Sequence, residues 1–460
     1  MTETAPVIEG FGGEVLGPDS PDYDVSRRIW NAMHDRRPAV IALCESSRDV
    51  AAAIRYAREC GLRIAVRGGG HSLPGFSTVD DGLVIDLRRL NAVAVDPVSR
   101  RATVQGGALL GDVDKAAQAY GLVVPAGVIS HTGAGGLTLG GGVGRLMRRY
   151  GLTIDSLISA DVVTADGEYV HASRDENPDL FWALRGGGGN FGVVTSFEFA
   201  LHEISTLAVL ATFHELDDAH ALLRRAESEM AHADVPDELL WTSFVRKAPA
   251  FPWMPEGLVG KPGVMSLIEW SGDLDDGMRL LDSLRKEVAP AAWSLELVPF
   301  LAMQTMGDEV FGHGLLSYIK ATFADELSDG LIDVLVDRAS SLGSPLTQVE
   351  VLSLGGAISR VSAQETAYVH RDARWLINVP ASWVDPVESE REMAWVRGTF
   401  AALSEYTRGG AYVNFMEADE AAADEVAYGD TLQRLQRVKA TYDPENVFNL
   451  NQNIVPAVHA

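Results

Sequence analysis

Arg67-Gly68-Gly69-Gly70-His71-Ser72 sets three residues without a Cβ between a fixed positive charge and an imidazole. Glycines there let backbone N–H groups approach an anion, with Arg67 adding charge beside them. His71 offers a nucleophilic ring nitrogen where a cofactor would enter. A second run, Gly133 to Gly144, is glycine at most of its positions, more than a turn requires. Two such loops suggest one long diphosphate ligand. Glu350 lies in Thr347-Gln348-Val349-Glu350-Val351-Leu352-Ser353-Leu354, a stretch apolar on both faces that ends in Gly355-Gly356. Desolvation there raises a carboxyl pKa and makes a usable base; an ion-paired structural glutamate is the other reading. Tyr412 and Asn414 alternate onto one face of an expected strand over 411–416, as a wall against a polar ligand requires, though a core tyrosine fits the same pattern. Tyr318 and Lys320 also share a face as substrate contacts, and Lys320 equally suits a structural ion pair. Trp241, Phe244, Trp253 and Trp375 either line an aromatic-substrate pocket or fill the core. No metal-ligand spacing, nucleophile elbow or Walker loop occurs.

The elements that position these residues follow from periodicity and caps. Ser46 and Ser47 offer an N-cap, Val50, Ala53, Ile54 and Ala57 repeat at helical spacing, and Gly61 ends the run. The strand Arg63–Val66 then delivers the first glycine loop. Further short strands are expected over 83–87 and 102–105, a helix over 110–120, and a hairpin from 158 to 170 across Asp166-Gly167. Asn177-Pro178 opens a helix that Gly186 closes, and 192–199 is a strand. Gly187, Gly189 and Gly192 formally spell G-x-G-x-x-G. They stand between a helix and a strand, the reverse of the order that a Rossmann loop needs, so that reading is rejected. Residues 206–414 alternate amphipathic helices (222–230, 278–288, 331–340) with apolar strands. This pattern predicts an α+β chain whose second part is an antiparallel sheet backed by helices.

With 460 residues and 47% hydrophobic content the chain can bury a large core, and its length allows two or three domains. A formal charge of −26 repels nucleic-acid phosphates and anionic membranes, which excludes both as partners. The acidic cluster Glu417, Asp419, Glu420, Asp424 and Glu425 reads as a solvated face. Two cysteines, Cys44 and Cys60, exclude a disulfide framework. The start carries no basic-then-apolar leader, and no run approaches the ~18 apolar residues of a membrane span, so a cytoplasmic protein is expected. Oligomeric state is not legible.

RGGGHS, PAGVISHTGAGGLTLGGGVG, YGLTIDSLISADVVTADG, NPDLFWALRGGGGNFGVVTSFEF and YDPENVFNLNQNIVP, in this order, resemble the berberine-bridge-type branch of the vanillyl-alcohol-oxidase superfamily. The resemblance implies a PCMH-type FAD-binding domain of two α/β subdomains (1–205, resumed at 415–460) around a substrate domain (206–414). It implies FAD joined to His71 by an 8α-histidyl bond. Part of the family adds a cysteinyl tether before the second glycine loop; here Ile129 and Ser130 stand there, so a single tether is expected. Cofactor contacts are implied for Arg67, Gly68, Gly69, Gly70, Ser72, Gly75 and Phe76 in the first loop. Gly127, Val128, Thr132, Gly135, Gly136, Thr138, Gly141, Gly142 and Gly144 follow around the second, then Gly192, Val194, Asn451 and Asn453. His131 falls near the flavin's reactive edge and either orients substrate or is structural. The implied reaction is oxidation of a small, aromatic or polyketide-like natural product, Glu350 taking a proton, Tyr412 assisting, and hydride passing to flavin N5 with O2 as acceptor. An oxygenase acting through an oxygenated flavin, an NAD(P)H-dependent reductase and a non-catalytic flavin-holding module are the alternatives.

Overall fold

The computed structural model describes residues 6–232, 234–419 and 423–457. A four-stranded sheet runs in the order Glu14–Leu16, Val40–Leu43, Leu83–Asp86, Ile64–Arg67, the last three parallel. Val40–Leu43 and Leu83–Asp86 are buried throughout, as strands covered on both faces must be. Helix Ser47–Cys60 crosses between Val40–Leu43 and Ile64–Arg67. Ser46 Oγ accepts the Asp49 N–H at 3.3 Å at its start, and Gly61 closes it at φ 66°. The strand Ile64–Arg67 therefore ends where the first glycine loop begins.

A second, antiparallel sheet has five strands, ordered Val93–Asp96, Arg101–Gln105, Val193–Ala200, Leu157–Val163, Tyr169–Ser173. The hairpin pairs Val163 with Tyr169 across Asp166-Gly167, with Gly167 at φ 83°. Trp182, Phe197 and Phe199 form a core with Tyr428, Leu435 and Val438, which brings the chain's last helix, Leu432–Tyr442, back onto this sheet.

The third large sheet is antiparallel throughout: Ala292–Pro299, Thr206–Glu215, Pro262–Trp270, Leu239–Lys247, Val349–Ser353, Trp375–Trp383, Leu316–Ala324. Helices Leu216–Met230, Leu274–Val288, Asp329–Ala339 and Ser389–Leu403 cover one face. Strand alternation decides which residues meet them. Trp241, Val245, Val349, Val351, Ile377 and Val379 pack on the helical side, leaving Glu350, Asn378 and Ile319 on the other.

Several expectations are corrected here. Trp241 and Trp375 fill the helix-facing core and do not line the cavity that Glu350 faces, while Phe244 and Trp253 pack against a separate cluster around Met265. Residues 411–416 do not form a strand. Val413–Phe415 is a 3-10 turn, closed by the Phe415 N–H donating to Tyr412 O at 2.7 Å. The nearby sheet edge instead uses a side chain: Glu417 Oε1 accepts the Ile319 N–H at 3.1 Å. The acidic cluster is accordingly no simple solvated face. Glu417 is buried, and Asp419 accepts hydrogen bonds from Tyr318, Lys320 and Arg397. Glu425 is exposed, and Glu420 lies outside the described residues.

Candidate active site

An elongated cavity lies between the glycine-loop side and the open face of the seven-stranded sheet. Gly68–Ser72, Gly133, Gly135, Gly136, Gly188, Gly189 and Leu450–Gln452 bound one side; Ile319, Glu350 and Asn378 bound the other. The two glycine loops touch. A Cβ on Gly69 would stand 2.3 Å from the Gly133 nitrogen, and one on Gly133 would stand 2.3 Å from the Gly69 nitrogen. A Cβ on Gly136 or Gly189 would meet nothing within 4 Å, so those backbones face open space. Glycine thus serves two purposes, close loop contact and a bare backbone wall for a ligand.

The wall is braced from the C-terminal segment. Lys439 Nζ, fully buried, donates to Asn190 O at 2.7 Å, Phe448 O at 2.9 Å and Asp443 Oδ2 at 2.6 Å. Asn190 Nδ2 donates to Gly187 O and Gln452 O, and Tyr428 Oη donates to Gln452 O. Asn451 Nδ2 donates to Gly189 O at 3.1 Å, and its buried Oδ1 has no partner among the described residues. A polar atom held in that state suits a ligand rich in hydrogen-bonding groups. Bare backbone, braced loops and this oxygen fit a dinucleotide such as FAD.

At one end of the cavity sits His71. Trp30 stacks on its ring with centroids 5.0 Å apart and planes 17° from parallel, and the indole N–H donates to Phe311 O at 2.6 Å. His71 Nε2 lies 2.6 Å from His131 Nδ1, and Thr132 Oγ1 lies 3.5 Å from His71 Nδ1. Burial, then the neighbouring His131 and His313, push the His71 pKa well below the usual histidine value. The ring is therefore neutral and keeps a lone pair at physiological pH. The three imidazoles bring ligand nitrogens within 4.8 Å of one another, a grouping that spacing of 60 and 182 residues in the chain conceals.

Glu350 stands across the cavity. Its Oε1 accepts from Gln348 Nε2 at 2.6 Å and its Oε2 from Asn378 Nδ2 at 2.9 Å. Burial pushes its pKa up, while those amides and the Arg246 charge oppose the rise. Desolvation wins, because two neutral donors and one guanidinium do not replace bulk water.

The remaining expected residues divide by position. Ser72, Phe76, Gly127, Val128, Thr132, Gly192 and Val194 line the cavity with the glycines already named. Tyr412 and Asn414 also reach it, but the Tyr412 hydroxyl and the Asn414 amide nitrogen are occupied at the second glycine loop. Tyr412 Oη accepts from Gly142 N at 2.9 Å, Val143 N at 3.2 Å and Asn414 Nδ2 at 2.8 Å; Asn414 Nδ2 also reaches Leu137 O at 3.0 Å. Both therefore hold that loop. Thr138, Gly141, Gly142, Gly144, Gly75 and Asn453 do not line the cavity. Thr138 Oγ1 donates within its own helix, to Ala134 O, and Gly144 abuts Ala126 O, where a Cβ would stand at 1.7 Å.

Three expectations are overturned. The Arg67 guanidinium is buried, lies 3.1 Å from Asp86 Oδ2 and donates to Arg28 O, so it neutralises a buried carboxylate instead of facing a phosphate. Tyr318 and Lys320 point to the helical side of the sheet, where both meet Asp419. The shared face was legible; which face it was depended on the packing of Ser389–Leu403. In their place Ile319, one register position between them, lines the cavity.

Sequence reasoning placed Trp30 only in a segment, Arg27–Asn31, that could cap the flavin domain, and missed Phe311, His313, Gln348, Asn378, Lys439 and Gly188–Gly189. The last two glycines belong to the run whose Rossmann reading was rejected; the loop joins helix Pro178–Leu184 to strand Val193–Ala200 and meets the ligand cavity without that motif's geometry. Gln348 and Asn378 could have been found from the two-residue offset to Glu350 and from the polar interruption in the apolar strand Trp375–Trp383.

Residues 38–173 match the family model for an FAD binding domain, and residues 411–455 that for berberine and berberine-like proteins. The chain is 33% identical to an FAD-linked oxidoreductase of Bacillus subtilis, YgaK, over 96% of this chain and 97% of that one. Crystalline 6-hydroxy-D-nicotine oxidase from Arthrobacter nicotinovorans superposes with a TM-score of 0.85 at 30% identity, covering 97% of this chain and 98% of that one. Glucooligosaccharide oxidase from Acremonium strictum, which carries a 6-S-cysteinyl, 8α-N1-histidyl FAD, gives a TM-score of 0.84 at 28% identity, covering 97% and 98%. Fold, cavity and sequence agree that the chain binds FAD and belongs to the berberine-bridge-type family of FAD-linked oxidoreductases.

Proposed function

We propose that this protein is an oxidase of a small aromatic or polyketide-like natural product, with FAD held on His71 by a single bond. The observation that carries the reading is Glu350, a desolvated carboxylate facing the same cavity as the neutral imidazole of His71. Bound FAD supplies the hydride acceptor and the route for electrons to O2. The chain supplies the rest. Gln348 and Asn378 hold Glu350 by one oxygen each, so its remaining lone pairs can accept a proton from a substrate O–H, N–H or C–H. Trp30, Phe311, Ile319 and Phe415 offer an apolar, partly aromatic wall that suits a flat ring and excludes water. Tyr412 and Asn414 hold the second glycine loop in register against the ligand. Ile129, where part of the family has cysteine, supports one tether; Cys44 is buried in another core cluster.

The test has two parts. Acid-precipitated wild type is expected to keep its yellow colour in the pellet, and His71→Ala to lose it. Anaerobic screening of aromatic alcohols, amines and polyketide-like phenols then seeks the compound that bleaches the flavin. Colour that washes out of the wild type refutes the tether, and bleaching by NADPH alone refutes the oxidase reading in favour of a reductase. Label from 18O2 retained in the product would convert the assignment to an oxygenase.

A further inference from the structure

We propose that His131 positions His71 for attachment to the flavin and takes its proton. The inference rests on the reading that His71 carries the cofactor. An imidazole forms a bond through the nitrogen that holds a lone pair, so attack by Nδ1 requires the proton to sit on Nε2. The surroundings select that tautomer. His131 Nε2 faces the backbone oxygen of Asp308 at 3.5 Å, and a carbonyl only accepts, so this long contact favours the His131 proton on Nε2. His131 Nδ1 is then an acceptor, and its 2.6 Å contact makes His71 Nε2 the donor. His71 Nδ1 is left with its lone pair.

The arrangement is built. Asp308 also accepts from Ser130 N–H at 2.8 Å and from Ser130 Oγ at 2.5 Å, which ties the residue before His131 to the segment that carries the carbonyl. Trp30 stacks on His71 and limits rotation of the ring. His313 is exposed, with its ring centroid 4.9 Å from that of His131, which sets the histidine pair beside solvent.

Bond formation joins His71 Nδ1 to the 8α carbon of the flavin ring. That carbon loses a hydrogen as a proton, and the C–H electron pair passes into the ring system. His71 Nε2 gives its proton to His131 Nδ1, 2.6 Å away, and the His131 imidazolium so formed returns a proton to solvent. Molecular oxygen then removes the electron pair and takes up two protons, leaving as hydrogen peroxide. The net change is one C–N bond formed, one C–H and one N–H bond broken, and O2 reduced by two electrons.

The experiment follows covalent incorporation by intact-protein mass in the full-length chain incubated with FAD in air. Wild type is expected to reach a full FAD adduct. His131→Ala is expected to bind FAD that acid releases, with attachment slowed by ~10²–10⁴-fold, the range for a removed general base. Added imidazole should restore attachment to His131→Ala and not to His71→Ala, a response that a merely structural histidine would not give. His131→Gln preserves volume and can still accept from Nε2 but cannot take the proton, so it too should attach slowly. Attachment at the wild-type rate in either His131 variant overturns the proposal. So does a loss in His131→Ala that imidazole leaves unchanged while FAD remains bound. An unmodified wild-type chain is a separate result, since it removes the histidyl tether itself before any variant is compared.

Discussion

Replacing Glu350 by glutamine tests the reaction with little disturbance of the fold. Glutamine keeps the volume and one acceptor oxygen, but its new NH2 faces a donor, Gln348 Nε2 or Asn378 Nδ2. Rotation of either amide resolves the conflict, because Gln348 Oε1 and Asn378 Oδ1 are both buried without a partner among the described residues. The stability change should therefore stay near the ~1 kcal/mol of one net hydrogen bond. The rate should not. Loss of a general base costs ~10²–10⁴-fold, which is about 3–5.5 kcal/mol at ~1.4 kcal/mol per decade. Burial raises the Glu350 pKa, so in wild type the basic form is present above that raised value and is lost as pH falls through it. Anaerobic stopped-flow bleaching of the flavin, with the first substrate found, should decline toward low pH in wild type and lose that limb in Glu350→Gln. A variant that bleaches at the wild-type rate with the same pH profile refutes Glu350 as the base.

Tyr412→Phe removes the acceptor for two backbone N–H groups and one amide, at ~1–3 kcal/mol for each donor left buried and unpaired. Its melting temperature should fall and its FAD should leave more readily on dilution; unchanged values in both assays would remove Tyr412 as the loop's clamp. Gly69→Ala should lose most flavin, because its Cβ would stand 2.3 Å from the Gly133 nitrogen; full loading of that variant contradicts the abutting loops. Arg67→Met removes one of two cations from buried Asp86, which keeps Arg88 at 2.8 Å, so the loss in denaturant unfolding should fall below the ~3–5 kcal/mol of a buried charge left unpaired. If the FAD affinity of the folded variant falls instead while stability holds, Arg67 faces the phosphates after all. Tyr318→Phe loses a hydrogen bond to Asp419 on the helical side and should keep kcat/KM within about twofold; a large loss would return Tyr318 to the substrate site.

Much of this architecture was legible because its signals are local. The Ser46 cap, the Gly61 stop, the Asp166-Gly167 turn and the two-residue alternation of the apolar strands each act within a few residues, where backbone conformation is decided. The glycine runs declared a ligand wall, since few other purposes demand so many positions without a Cβ. The ordered motifs carried the family.

What required the tertiary structure is which of two faces, or which of several charges, meets the cavity. Tyr318 and Lys320 share a face by strand geometry, but the helix Ser389–Leu403 decides that it is the wrong one. Arg67 is cationic by composition, yet Asp86, its register partner on the next strand, decides what that charge neutralises. Residues 411–416 alternate like a strand, yet Val413–Phe415 is a 3-10 turn closed on Tyr412 O, and the neighbouring edge gives its Ile319 N–H to Glu417. His71, His131 and His313 are unrelated in sequence and meet only when three loops converge. Spacing along a chain records local conformation; contact between distant groups follows from how whole sheets and helices bury their apolar faces, and that is where the site's electrostatics are set.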